Sequence, residues 1–326
     1  MIIGGSPMAY NSLIFFHLRD PISRLIDVGG LGGMAMVQRP VIHLRGPPTS
    51  LMVGLIERLL RTSSDLIIDG PLHAMIVQHY ANDLQYGGAS VFTSSQRALS
   101  EGHRVVMVGL GPFNTEQEDG VGFDVDGVEL ILVTSAEQVN EVSFDWVDAH
   151  VAVHDLMPMH RGGSWVPSLL CRWYDALSNG MTPTIEHDGQ HWWVGEIDVA
   201  DALVRLLMSS TPFPKVSKMS GRRCWSDQQT LEEFVMLYKR TAAGQSGSFG
   251  VSELSAAPSP NIELQPLMVS DPVPMTLEEN RAQRPDLSAI HDALHAADGD
   301  GWRPLVPVRT AMMHCLAHLL EPQAKV

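Results

Sequence analysis

The chain has 326 residues, 44% hydrophobic and 18% charged, with a formal net charge of −15. That length buries a sizeable core, as one large α/β domain or a domain plus a smaller lobe, and that composition excludes a disordered chain. The acidic balance argues against nucleic acid, which is held mainly by Lys and Arg contacts to phosphate.

Apolar β-rich runs predict strands at Met1–Ile3, Ser23–Val28, Pro40–Leu44, Ala89–Thr93, His103–Val108, Glu129–Val133 and His150–His154. Helical periodicity predicts helices at Ser50–Arg61, Pro71–Asn82, Val166–Ser178, Asp198–Ser209, Thr230–Lys239, Leu287–Ala296 and Val308–Leu320. Strands alternating with helices imply an α/β fold: a Rossmann-like, mainly parallel sheet with both faces covered and a smaller C-terminal lobe. Asn114–Gly127 is acidic, and its closing GVGFDVDG run reads as an exposed hairpin or loop; Ala242–Met275, rich in Ser, Pro and Gly, reads as a long surface excursion.

Cys171, Cys224 and Cys315 are widely spaced and odd in number, which points to a reducing compartment, mitochondrial or cytoplasmic, rather than to a disulfide framework. No apolar run reaches the roughly 18 residues of a membrane span. The opening MIIGGSPMAYNSLIFF lacks the basic start of a signal peptide.

The run Met181-Thr-Pro-Thr-Ile-Glu-His-Asp-Gly189 followed by Trp193-Val-Gly-Glu-Ile-Asp-Val-Ala-Asp-Ala-Leu203 resembles the extended short-chain dehydrogenase/reductase family, the NAD-dependent epimerases and dehydratases of nucleotide sugars. Arg284-Pro-Asp-Leu-Ser-Ala-Ile-His-Asp-Ala-Leu294 and Gly301-Trp-Arg-Pro304 resemble a later segment of the same family. Upstream, Val41-Ile-His-Leu44 resembles its fourth strand, Asp69-Gly-Pro-Leu-His73 a helix, Val91-Phe-Thr-Ser-Ser95 the fifth strand and His150–Pro158 the sixth. The resemblance implies two interleaved regions in one unit: residues 1–178, a degenerate dinucleotide-binding Rossmann-like region, and 179–326, similar to a substrate lobe.

The resemblance also implies where function would reside. The family's phosphate loop, TGGxGFIG, aligns with Ile3-Gly-Gly-Ser-Pro-Met-Ala-Tyr10, keeping Gly4 and Gly5 but placing Pro7 and Tyr10 where glycines belong. A Cβ there obstructs the approach to pyrophosphate, and proline removes an N–H. Asp27 stands where an acid would hold the adenosine ribose, although an Asp before Gly-Gly is also an ordinary turn former. His43 is the remaining cofactor candidate. Gly30-Leu-Gly-Gly-Met-Ala35 and Gly109-Leu-Gly-Pro-Phe read as loops.

In this family a tyrosine is the acid/base and a lysine lowers its pKa. Here the first lysine is Lys215, and no tyrosine lies between Tyr86 and Tyr174. Ser95 is the one remnant of the catalytic group, and Ser135–Glu141 the remnant of the tyrosine/lysine helix. A phenol with a pKa near 10 needs a nearby cation to ionise at neutral pH.

Other groups have ordinary explanations. His291/His295 and His314/His318 sit at helical spacing but lack H-E-x-x-H and a third ligand, so no metal is expected. His187 and His191 flank a turn, and Glu196, Asp198 and Asp201 surround a helix start, where the dipole favours them.

These observations point to a non-catalytic member serving as a structural or accessory subunit. The resemblance offers the dehydrogenase-like accessory subunit of mitochondrial respiratory complex I as a parallel. The expected partners are other protein subunits, with no cofactor, or NAD(P) if the crevice is still open. The alternatives are an NAD(P)-dependent nucleotide-sugar epimerase, dehydratase or reductase with a rearranged site, and a sensor that binds a nucleotide without turning it over.

Overall fold

The computed structural model describes residues 39–109, 125–138, 145–160, 165–185, 189–247 and 284–320. Residues 39–326 form one compact unit by their internal contacts. The expected strands Met1–Ile3 and Ser23–Val28 lie outside the described residues, as do Gly4, Gly5, Asp27 and His187.

Seven strands make one wholly parallel sheet. In chain order they are β1 (Val41–Arg45), β2 (Asp65–Ile68), β3 (Ser90–Phe92), β4 (Arg104–Val108), β5 (Glu129–Ser135), β6 (Ala149–Val153) and β10 (Val216–Met219). Their spatial order is β10-β6-β5-β4-β1-β2-β3. From β1, the first strand among the described residues, the chain winds out to β3, then returns to the other side of β1 and winds out again. The order reverses between β1 and β4, and ligands of open α/β sheets bind at such a switch point, beyond the carboxyl ends of the strands.

This order corrects two strand assignments. Val41–Leu44 is not the fourth strand of the pattern but its central, first one, because β2 and β4 flank it and a helix follows within five residues. Val91 and Phe92 belong to an edge strand, not to the fifth strand beside the centre. The strand in that place is β5.

Side chains alternate across the sheet. Ile42, Leu44, Leu66, Ile68, Val106, Val108, Ile131, Val133, Val151 and Val153 enter the main core with residues of four helices, α1 (Ser50–Leu59), α2 (Gly70–His79), α5 (Glu196–Met208) and α7 (Ser288–Asp298). Helix α1 is buried along almost its whole length, wedged between sheet and α5, and Thr49 caps it by accepting from Met52 N at 3.2 Å. The other face bears Val105, Met107 and Leu132, which cluster with Val147. Among the described residues no helix contributes to that cluster.

The remaining elements are α3 (Ala81–Tyr86), β7 (Leu156–Met157), α4 (Ser168–Ser178), β8 (Gln190–His191), β9 (Val194–Gly195), β11 (Trp225–Ser226), α6 (Asp227–Ser246) and α8 (Val308–Leu320). A second apolar cluster ties α4, α6 and α8 together through Leu170, Trp173, Phe234, Leu237, Met312, Cys315 and Leu316, with Trp193 at its edge. Ser226 closes a capping box with Gln229 to start α6.

Candidate functional site

The switch-point crevice begins where β1 turns into α1, through Gly46-Pro-Pro-Thr49. Gly46 has φ +124°, and a Cβ on it would stand 2.5 Å from the Val108 carbonyl oxygen, so backbone meets backbone there and only glycine fits. The next positions depart from a phosphate cradle. Pro47 and Pro48 have no N–H, Thr49 N donates to Pro47 O at 2.7 Å, and Met52 N is taken by the Thr49 hydroxyl. The opposite wall is Gly109, φ +81°, whose Cβ direction meets the Trp165 indole at 3.5 Å and Thr49 at 3.7 Å. Trp165 is 4% exposed, and its Nε1 has no hydrogen-bond partner among the described residues.

Asp69 follows the second strand, where a dinucleotide-binding fold of this order keeps its ribose-binding acid. Its carboxylate is already engaged: it ion-pairs with Arg45 and accepts from Ser94 N at 2.8 Å. Burial opposes the charge, but these bonds hold the carboxyl below its ordinary range.

Ser95 lies beyond the edge strand β3, exposed, its Oγ 2.8 Å from Thr93 Oγ1. Sheet order puts β2, β1 and β4 between it and β5, so it is not at the end of the strand that carries the serine position of the pattern; Thr134 and Ser135 are. Thr134 Oγ1 is 2.8 Å from His150 Nε2. After Ser135 comes a short 3-10 turn, Ala136–Gln138. Residues 136–148, which join β5 to β6, contain neither Tyr nor Lys.

Neither Tyr80 nor Tyr174 is poised to ionise at neutral pH. Burial and Glu57 push the Tyr80 phenol upwards, and its hydroxyl donates to Glu57 at 2.9 Å. Burial also raises Tyr174, with Tyr238 adding to it.

His43 is buried in the middle of β1, so it does not reach the crevice. It belongs to a relay at the opposite end of the sheet. Ser100 N donates to His103 Nδ1 at 3.3 Å, His43 Nε2 lies 3.0 Å from the same nitrogen, and Ser100 Oγ lies 2.8 Å from His103 Nε2. Burial, His103 and Arg45 lower His43 to about 4, and burial and Arg97 lower His103, so both rings are neutral near pH 7.

Two further histidines are clamped by carboxylates, which sequence spacing did not reveal because the partners are remote in the chain. His160 sits between Glu196 (Nδ1 to Oε1, 2.5 Å) and Glu57 (Nε2 to Oε2, 3.0 Å). Burial opposes its charge, but the two carboxylates outweigh it and raise the pKa to about 9. Glu196 also accepts from Ser50 Oγ and from Met159 N at 2.8 Å, which straps the segment after β7 to α1 and α5. His191 lies 3.0 Å from Asp155 and 2.8 Å from Asp227, stacked on Trp193 at 4.5 Å. Both arrangements are latches between elements. Among the described residues no cluster of His, Cys, Asp or Glu has the form of a metal site.

No protein-family model matches the chain, and no curated protein does. Among solved structures it is similar to a UDP-glucose 4-epimerase of Thermotoga maritima bound to UDP-glucose, at 10% identity and TM-score 0.47 over 86% of this chain and 98% of that one. It is also similar to the Bordetella bronchiseptica enzyme WbmG in complex with NAD, at 13% identity and TM-score 0.43 over 87% and 95%. A third is the terminal R domain of the myxalamid PKS-NRPS biosynthetic pathway, at 13% identity and TM-score 0.48 over 86% and 90%. The order of its own strands, 3-2-1-4-5-6 with a seventh strand added, gives the chain a Rossmann-like α/β fold.

Proposed function

We propose that the chain is a non-catalytic, dehydrogenase-like accessory subunit of a larger protein assembly, with a mitochondrial respiratory complex as one such setting. The observation that carries this reading is the connection 136–148 between β5 and β6, which supplies neither the phenol nor the ammonium group of the ancestral acid/base pair. Pro47 and Pro48 in the phosphate turn, the Arg45–Asp69 ion pair and the Trp165 indole beside Gly109 support it, since each takes up a group or a space that a dinucleotide would need. A fold that loses its chemistry persists when its surface holds other chains together, and fold by itself does not fix function.

A second reading is favoured by Asp69: an acid at the end of β2, about twenty residues after Gly46, suits the ribose of NAD. On that reading the chain is an NAD(P)-dependent nucleotide-sugar epimerase, dehydratase or reductase with a rearranged site. Assay of the purified chain with NAD and UDP-glucose, read by nicotinamide absorbance and by sugar analysis, separates the two. No turnover supports the accessory subunit; steady turnover supports the enzyme.

A further inference from the structure

Lys215, Lys218, Arg222 and Arg223 fall within nine residues that hold no acid, in a chain of net charge −15. They follow the edge strand β10 and the turn beyond it, and all four are exposed. Elsewhere Arg39, Arg45, Arg61, Arg97, Arg104, Arg205 and Arg309 are each ion-paired to a carboxylate. These four, and Arg284, make no such pair among the described residues; Arg58, Lys239, Arg240 and Arg303 also make none, but they do not fall in one short acid-free run.

The strip runs into a cleft of about 600 Å³ that Arg222 and Arg284 line together, with His291 and the buried Trp302. Two acids also line it. Asp286 accepts from Ser288 N at 3.0 Å and from its hydroxyl at the start of α7, and these bonds, with the nearby Lys218 and Arg284, hold its carboxyl below the ordinary range; Asp292 is exposed on that helix. Beside the strip, β10 is an edge strand among the described residues. His150 N and His154 N bind the carbonyls of Lys215 and Met219, so alternation turns the backbone groups of Val216 and Lys218 away from β6. Val216 is 62% exposed.

Lysines on edge strands also serve to discourage pairing between copies of a protein. That purpose does not require two arginines past the strand, in a cleft of the size that ordinarily holds a ligand or a few side chains. We propose that the β10 edge and the Arg222–Arg284 cleft form a docking surface for an extended acidic segment of a partner protein, its carboxylates on Lys218, Arg222 and Arg284. Charge complementarity selects that occupant: nucleic acid would carry a far denser charge toward an otherwise acidic chain. This proposal rests on the accessory-subunit reading for its biological setting.

The test is fluorescence anisotropy of a labelled ten-residue polyglutamate peptide with the full chain. Binding is expected, weakening as salt rises, and at least ten-fold weaker in Lys218→Glu/Arg222→Glu. Lys239→Glu, on α6, should leave it unchanged. Because the substituted side chains are exposed, the circular dichroism melt of each variant should match the parent. Absence of binding overturns the proposal, as does equal loss in Lys239→Glu, tighter binding of a single-stranded oligonucleotide, or full displacement by equimolar inorganic phosphate. Enzymatic turnover with peptide binding intact would sink the accessory-subunit reading and leave the surface standing; absent binding without turnover would do the reverse.

Discussion

The Nδ1 of His160 lies 2.5 Å from Oε1 of Glu196, and the room for that contact comes from a glycine: a Cβ on Gly54 of α1 would stand 2.5 Å from the same oxygen. Alanine is favoured over glycine in a helix by about 1 kcal/mol. Here the added methyl displaces a buried carboxylate that carries His160, Ser50 and Met159, and breaking such a pair costs about 3–5 kcal/mol. Gly54→Ala should therefore lower stability by roughly 2–4 kcal/mol, the difference of the two effects. Urea denaturation at constant m checks this.

The same pair sets a pH dependence. His160 is raised from 6.5 to about 9, so its contribution is fully present below pH 6.5 and is lost as pH rises through about 9. Glu57 and Glu196 are lowered by their bonds against the opposing effect of burial, so their contribution is present above pH 4.5 and is lost on acidification. The difference in urea midpoint between the parent and His160→Gln should be largest between those limits and shrink on both sides. A histidine titration by NMR should place His160 near 9; a value near 6.5 would refute the clamp.

Gly46 makes the second close approach. Its φ is +124°, and an added methyl carbon would stand 2.5 Å from Val108 O, so Gly46→Ala meets both backbone strain and a clash with backbone that has no rotamer to escape into. A loss of at least about 1–3 kcal/mol is expected. Gly102→Ala makes the comparison: its φ is +78° but nothing lies within 4 Å, so it should lose less.

At the other latch, Asp155 has φ +49° and accepts from Trp192 N at 2.7 Å while facing His191. Glycine would relieve the backbone but remove both bonds, each to a partly buried group. Asp155→Gly should cost about 1–3 kcal/mol and lower the His191 pKa, which burial opposes and the two aspartates raise. An unchanged His191 titration would show that Asp227 alone holds the ring.

Much of the fold was legible in the sequence. Long amphipathic runs located α1, α4, α5, α7 and α8, and apolar runs located β1, β4, β5 and β6. Two strands of the seven-stranded sheet escaped, as did the two-residue strands β7, β8, β9 and β11. Asp65–Ile68 is four residues, buried throughout, and so shows no alternation; Val216–Met219 is a short edge strand with a polar pattern. Strand pairing is non-local, and without β2 and β10 the centre of the sheet could not be found. The structure puts Gly46, Asp69 and Ser135 at the carboxyl ends of β1, β2 and β5 and Ser95 beyond β3, while Gly4 and Asp27 lie outside the described residues. That the stretch 136–148 holds no Tyr and no Lys was legible at once, because the absence of a residue type from a stretch of chain does not depend on register.

The most direct measurement is turnover and bound nucleotide in the same preparation: mass spectrometry of the denatured chain together with nicotinamide absorbance in the presence of NAD and UDP-glucose. The account predicts no reduced nicotinamide, no sugar product, and no dinucleotide carried through purification. Catalytic conversion of UDP-glucose by the chain, or NAD retained at one equivalent per chain, would contradict it.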